Sequence, residues 1–240
     1  MLDHRLSLAA SLYTKSRLGC DIGSDHGLLP CYLLRRGVCE RMIISDISEK
    51  ALMHAANQVR HQHLENRVQL VCADGLDAVT EPCDCISITG VGGETAAQIL
   101  LRGQEKLQGA DLVLSVHTDP FLTRKAIEQI GYCMVEERLA FERGRYYIVW
   151  KCHPGTMHQS EDEILYGSLL YQTPSPLLKD YLCFRLQVLQ KKRDGLVSGK
   201  MISEEELADA EHALRFYNER LKEIGEFDHA SHNGGSVPLD

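Results

Sequence analysis

Residues 18–30 read Leu-Gly-Cys-Asp-Ile-Gly-Ser-Asp-His-Gly-Leu-Leu-Pro. An apolar run ends in Asp21, turns on Gly23 and Gly27, and gives way to a helical pattern. This predicts a strand–turn–helix whose backbone can approach a ligand closely, because glycine carries no Cβ. The helix that follows offers unpaired N–H groups to a polar or anionic group. Asp21, Gly23, Ser24 and Gly27 are therefore binding candidates. Asp25 and His26, set inside the turn, place an acid and an imidazole beside whatever binds there, and are catalytic candidates. The spacing is Gly-x-x-x-Gly, not the Gly-x-Gly-x-x-Gly of a dinucleotide fingerprint, so a nicotinamide cofactor is not the first reading.

Similar chemistry recurs at regular intervals along the chain. Asp46 and Ile47 close a second apolar run, about 20 residues beyond the first glycine turn; a carboxylate there suits a pair of ribose hydroxyls. The plainer role for Asp46 is a helix start, which Ser48 also fits. Ala73-Asp74-Gly75-Leu76 follows a third run and forms a short polar turn, where Asp74 suits an adenine amine. Thr89-Gly90-Val91-Gly92-Gly93 follows a fourth run. Three glycines in four positions leave a bare backbone, more than one turn requires given the entropy each glycine loses. Ser115-Val116-His117 ends a fifth run, and Pro120 fits the first turn of a helix capped by Thr118 or Asp119.

These groups need a scaffold that brings them to one edge. Strand-like runs at 17–22, 41–46, 68–72, 84–89 and 111–116 alternate with helical patterns at 27–37, 48–63, 93–104 and 119–130. This is the signature of βαβ units and a parallel sheet covered on both faces. In such a sheet ligands sit beyond the C-terminal strand ends, where every candidate above lies. Two further runs, 132–141 and 145–152, are joined by Glu142-Arg143-Gly144-Arg145 with no room for a helix, so they form an antiparallel hairpin. A mostly parallel sheet that finishes in such a hairpin is the Rossmann-like layout of class I methyltransferases. The expected class is thus α/β with a C-terminal helical part. Residues 1–155 form the sheet domain, 156–227 a helical domain, and 228–240 a disordered tail. In the helical part, apolar residues recur at three and four along two runs, and Ser203 with Glu206 suggests a capping box. The short linker near Gly195 to Lys200 pairs these helices antiparallel. They act either as a substrate clamp or as cover for an edge or dimer contact.

Composition sets outer bounds. The net charge is −8 over 240 residues, which argues against nucleic acid as a partner. The excess acid lies mostly beyond residue 155, so the first part can still carry a basic face. No run is long enough for a bilayer span, and the N-terminus carries no apolar leader. Nine cysteines without paired spacing read as reduced cytosolic thiols. Cys83 and Cys85 fall in one predicted strand with thiols on the same face, but no second pair completes a metal site, and no metal is expected.

The chain resembles the bacterial tRNA (adenine-22 N1)-methyltransferase family. The matching pieces are Arg5-Leu6, Asp21-Ile22-Gly23-Ser24-Asp25-His26 with Leu29-Pro30-Cys31-Tyr32, Asp74-Gly75-Leu76, Gly90-Val91-Gly92-Gly93, and the Arg145-Tyr146-Tyr147 region. The resemblance spans the sheet part in order, and the helical extension agrees with it. It implies a Rossmann-like methyltransferase domain, a C-terminal helical domain, S-adenosyl-L-methionine as donor, tRNA as acceptor and a cytoplasmic enzyme, monomeric or weakly dimeric. One departure stands out: the family carries Gln-Pro-Asn where this chain reads Ser115-Val116-His117, so His117 becomes the candidate for the edge of the target base. Under this reading Tyr32, Phe121, Tyr146 and Tyr147 are candidates for stacking, and Arg35, Arg36, Arg41, Arg124, Lys125, Arg143 and Arg145 for phosphate. Alternatives are a different RNA or small-molecule acceptor on the same fold, or a non-catalytic binding module.

Overall fold

The computed structural model describes residues 2–24, 26–172, 175–198 and 203–232. The chain divides into two compact units, residues 1–170 and 171–240.

The first unit is built on one seven-stranded sheet. Its strands are β1 (Ser16–Ile22), β2 (Cys39–Asp46), β3 (Val68–Cys72), β4 (Cys85–Val91), β5 (Asp111–Val116), β6 (Tyr132–Glu142) and β7 (Arg145–Pro154), in spatial order β3-β2-β1-β4-β5-β7-β6. The first five run parallel, while β7 inserts antiparallel between β5 and β6. The inner strands are near-continuous apolar runs: Ile86 and Ile88, then Leu112, Val113 and Leu114, are all fully buried. Strands covered on both faces require this pattern. The chain order reverses between β1 and β4, where a crevice opens in sheets of this kind.

The helices are α1 (His4–Leu12), α2 (Leu28–Arg35), α3 (Glu49–His61), α4 (Gly93–Gly103), α5 (Pro120–Gln129), α6 (Glu161–Tyr166) and α7 (Leu169–Gln172). Those read from sequence are recovered within a residue or two. The first, α1, had no counterpart in the sequence reading. Asp3 caps it by accepting the Leu6 N–H at 2.7 Å, and Leu6, Ala9, Ala10 and Leu12 bury one face. Just beyond it, the Tyr13 hydroxyl donates to Cys85 O in the sheet at 3.0 Å. At its start, His4 N–H donates to Glu142 at the tip of the β6–β7 hairpin (3.0 Å). The helix is thus fixed at both ends.

Two local expectations need correction. Cys83 lies outside β4, which opens at Cys85; Pro82 has no N–H to give a ladder. The start of α5 has Pro120 in its first turn and Asp119 at the cap position, yet the Asp119 side chain accepts no capping bond. Its backbone is left-handed, with φ of 46°.

The second unit contains α8 (Leu178–Ser198) and α9 (Glu204–His232). Arg185 of α8 lies over Tyr217 of α9, with 5.6 Å to the ring centroid. Arg193, further along α8, shares a groove with Glu211, earlier in α9. The helices therefore run antiparallel. Ser203 Oγ accepts the Glu206 N–H at 3.3 Å, as a helix cap does. Backbone helix continues to His232, five residues into the stretch read as disordered tail; residues 233–240 lie outside those described. Among the described residues no helix is long and apolar enough to cross a membrane, and no group of three or more His, Cys, Asp or Glu is arranged to hold a metal.

Candidate active site

A cleft of about 380 Å³ opens at the C-terminal ends of β1 and β4. Asp21, Gly23, Ser24, His26 and Gly27 line it from the first turn, and Thr89 and Gly90 from the glycine loop. The first turn is held by β2: the N–H groups of Gly23 and Ser24 both donate to Ser45 O, at 2.8 and 2.9 Å. Gly27 sits at the cap of α2 with φ of 61°, and a Cβ there would lie 3.2 Å from that of Ala55. Left-handed backbone against a neighbouring helix leaves glycine as the residue that fits. Asp25 lies outside the described residues. His26 is exposed and stacks on His54 of α3, ring centroids 5.3 Å apart.

Asp21 is buried under this turn. Ser87 Oγ donates to its carboxylate at 2.6 Å, and the Ser24 hydroxyl donates as well. Burial nonetheless pushes its pKa up to about 6, against the lowering effect of those two hydroxyls and of Arg5. A buried carboxylate on the edge of ionisation sits at the floor of a cleft.

Arg5 is the main functional candidate that the reading of motifs passed over, except as a family marker. It comes from α1 and lines the cleft opposite Asp21. Its guanidinium lies over the Tyr147 ring, 5.3 Å to the centroid, and packs beside Gly90. Its Nη1 is buried with no hydrogen-bond partner among the described residues. A buried donor without an acceptor is costly unless something supplies one. The signal available in sequence was Asp3 as a cap followed by an apolar period at Leu6, Ala9 and Ala10, which would have turned Arg5 toward the sheet edge.

The other candidates surround this cleft without lining it. Asp46 closes β2, and its carboxylate accepts the Ser48 N–H at 2.8 Å. Ser48 itself caps α3, accepting from Ala51, so Asp46 is not needed as the cap. Ile47, next to it, is 69% exposed, an apolar group open to cover by a flat ring. Asp74 lies beyond β3, paired with Arg102 at 2.8 Å, and Gly75 packs on Ile99 of α4. Cys72, exposed at the end of β3, points its thiol to Ile47 O at 3.6 Å. Val91 abuts Gly23. Gly92 and Gly93 press against the β5–α5 turn: a Cβ on Gly93 would fall 2.2 Å from Asp119 O. Here the bare backbone serves loop packing. His117 is exposed, its ring 5.7 Å from Tyr147, so that Arg5, Tyr147 and His117 form a row along the rim.

The arginines sort themselves by partner. Arg124 is buried against Glu137 and is not available for phosphate, contrary to expectation; Arg41 makes an exposed surface pair with Glu81 at 3.0 Å. Arg143 lines the cleft from the hairpin tip.

A family model described as a methyltransferase domain matches residues 2–150. The chain belongs to this methyltransferase domain family. It is 29% identical over 165 residues to the tRNA (adenine(22)-N(1))-methyltransferase of Bacillus subtilis strain 168, covering 68% of this chain and 69% of that protein. A Streptococcus pneumoniae protein solved in complex with S-adenosyl-L-methionine superposes with a TM-score of 0.81 at 27% identity, over 92% of this chain and 100% of that one. The Bacillus subtilis M1A22 tRNA methyltransferase TrmK superposes at 0.83 over 92% and 99% of the two chains. At 23% identity that last likeness concerns the fold. The Rossmann-like sheet with its antiparallel hairpin matches the architecture expected from sequence.

Proposed function

We propose that this methyltransferase transfers a methyl group from S-adenosyl-L-methionine to N1 of adenine 22 in tRNA. One observation supports the reading: one cleft at the β1–β4 reversal is lined by a buried carboxylate, Asp21, by the glycine turns, and by the Arg5 guanidinium, whose Nη1 has no acceptor among the described residues. An amino-acid moiety bears an ammonium and a carboxylate, and those two groups complement it. Asp46 suits the ribose and Ile47 the adenine ring, so the residues present fit the donor along the C-terminal strand ends. When bound, the donor supplies a methyl group on a cationic sulfur. The remaining work of the chain is positioning.

Adenine N1 holds its lone pair at neutral pH, so no strong base is needed to make the nucleophile. The product ring is cationic, and negative charge placed near it favours the transition state. Asp25 is assigned that role, with His26 beside it in the turn. His117 and Tyr147, whose rings lie 5.7 Å apart, are assigned to the base edge and face. N1 lies on the Watson–Crick edge, so the base must be unpaired or flipped to reach the cleft. The product being a tRNA nucleoside, the enzyme is assigned to the cytoplasm.

The test is transfer of labelled methyl from S-adenosyl-L-methionine to unmodified bulk tRNA, followed by nucleoside analysis. Label in 1-methyladenosine is the expected result; label in another nucleoside or none in tRNA refutes the assignment. In the same assay Asp25→Ala should lose most turnover while donor affinity stays within about twofold. Retained turnover would remove Asp25 from the mechanism.

A further inference from the structure

An open groove of about 690 Å³ lies beside the cleft on the same unit. It is lined by Ser7, Tyr32, Arg35, Arg36, Gln58 and Gln62, with Leu28 shared between groove and cleft. Helix α1 separates the two: Ser7 faces the groove while Arg5 and Leu6 face the cleft. Among the described residues no acidic side chain lines the groove. Arg36 lies over the Tyr32 ring, 5.4 Å from its centroid, and Arg35 and Arg36 are both exposed. Neither forms an ion pair among the described residues, unlike Arg41, Arg102, Arg124 and Arg138, which each meet a carboxylate. Gln62 Oε1, on the groove wall, lacks a donor among the described residues.

A cation in the last turn of α2 suits the helix dipole, and that would account for Arg35 alone. It does not account for a polar groove that adjoins the cleft at Leu28. On a chain of net charge −8, two cations without an ion pair, facing a groove with no acid among its described lining, are a local departure that favours an anion. Two guanidinium groups, an aromatic ring and two side-chain amides lining one groove are the elements that hold a single RNA strand. The cations meet phosphates, the ring stacks a base, and the amides bond base edges.

We propose that this groove binds the tRNA strand flanking the target adenine, with Arg35 and Arg36 on successive phosphates and Tyr32 stacked on a neighbouring base. The inference rests on tRNA as the acceptor and adds where the acceptor lies. Taking a base out of its stack costs a few kcal/mol, and a strand gripped next to the flipped nucleotide helps to offset that cost. Leu28 marks the point at which the strand passes from groove to cleft.

The test uses the full chain and unmodified bulk tRNA, with dissociation constants measured across a series of salt concentrations. Arg35→Gln with Arg36→Gln should weaken tRNA binding by about tenfold or more. Loss of two phosphate contacts should reduce the slope of log K against log salt by about 1.5–2. Donor affinity should stay within twofold. Tyr32→Leu should weaken tRNA binding with the slope unchanged, since stacking releases no counterion. Unchanged affinity and slope in the double variant, with the unaltered chain still methylating tRNA, would overturn the groove alone. An unaltered chain that neither binds nor methylates tRNA would overturn the acceptor assignment and the groove with it. A parallel loss of donor affinity in the groove variants would assign these residues to the fold or the donor site and also overturn the proposal.

Discussion

Two arginines lie over aromatic rings of the same strand, β7, and they are treated in opposite ways. Arg124, from α5, sits over Trp150 at 5.6 Å. It is 1% exposed, and its Nε donates to Glu137 Oε1 at 2.8 Å while Nη2 lies 2.8 Å from the same oxygen. Its Nη1 donates to Ile164 O, and the Trp150 indole N–H donates to the same Glu137 carboxylate. Arg5, from α1, sits over Tyr147 with a buried Nη1 that nothing in the described residues accepts from. Tyr147 and Trp150 are three residues apart on a strand, so they face opposite sides of the sheet. On one side the guanidinium is held by a carboxylate and a backbone carbonyl. On the other, no carboxylate pairs with the guanidinium among the described residues, its Nη1 lacks an acceptor, and it lines a cleft.

Removing each group should separate the two roles. Arg124→Ala leaves Glu137 charged and buried without its counter-ion, and should cost about 3–5 kcal/mol in chemical denaturation. A loss below about 1 kcal/mol would mean that the network is not a stability element. Asp21→Asn works in the opposite sense. The folded carboxyl titrates near 6, above its ordinary value near 4. Its contribution to stability is therefore complete below pH 4 and is lost as pH rises through 6. At pH 7 the burial of this charge costs about 3 kcal/mol. The ligand-free Asn variant should thus melt higher at pH 7, and its decline in stability between pH 4 and 6 should flatten. Donor binding, which needs the anion, should fall in the same variant; in the unaltered chain it should strengthen as pH rises through 6.

Arg5→Gln should weaken donor binding by about 1.5–3 kcal/mol, the value of a hydrogen bond to a charged group. It should move the unfolding midpoint little. If stability falls as far as for Arg124→Ala while donor affinity holds, the contrast between the two arginines is wrong. The smallest effect is expected at the opposite end of the sheet, where Thr14 Oγ1 donates to Asp111 at 2.5 Å and His153 Nδ1 meets the same carboxylate. Thr14→Val should cost about 1 kcal/mol and leave donor binding unchanged in titration calorimetry.

What could be read in the sequence was what is local. The turn from Asp21 to Gly27 carries its own conformational instructions, and strand and helix periods gave the sheet, the hairpin and the helical pair. What escaped depends on residues far apart in the chain. Arg124 was placed among phosphate contacts because nothing near it predicts Glu137, which reaches it across β6. Arg5 was overlooked because α1 is short and its value lies in where it docks, 138 residues from the hairpin tip that ties its start (His4 to Glu142). The glycines at 92 and 93 were read as a ligand cradle; the packing of the neighbouring turn explains them directly.

One thiol has a practical consequence. Most of the nine cysteines are buried, and burial raises the pKa of several, Cys39 and Cys85 to about 12. Such thiols react slowly with electrophiles. Cys72 alone is exposed, at the end of β3 and against Ile47 O. A gentle thiol-directed dye should therefore mark this protein first at Cys72, and that label would sit beside Ile47, at the end of the cleft proposed for the ribose and adenine of the donor. The natural chain thus carries its own attachment point for an optical sensor of donor occupancy, with no engineered cysteine.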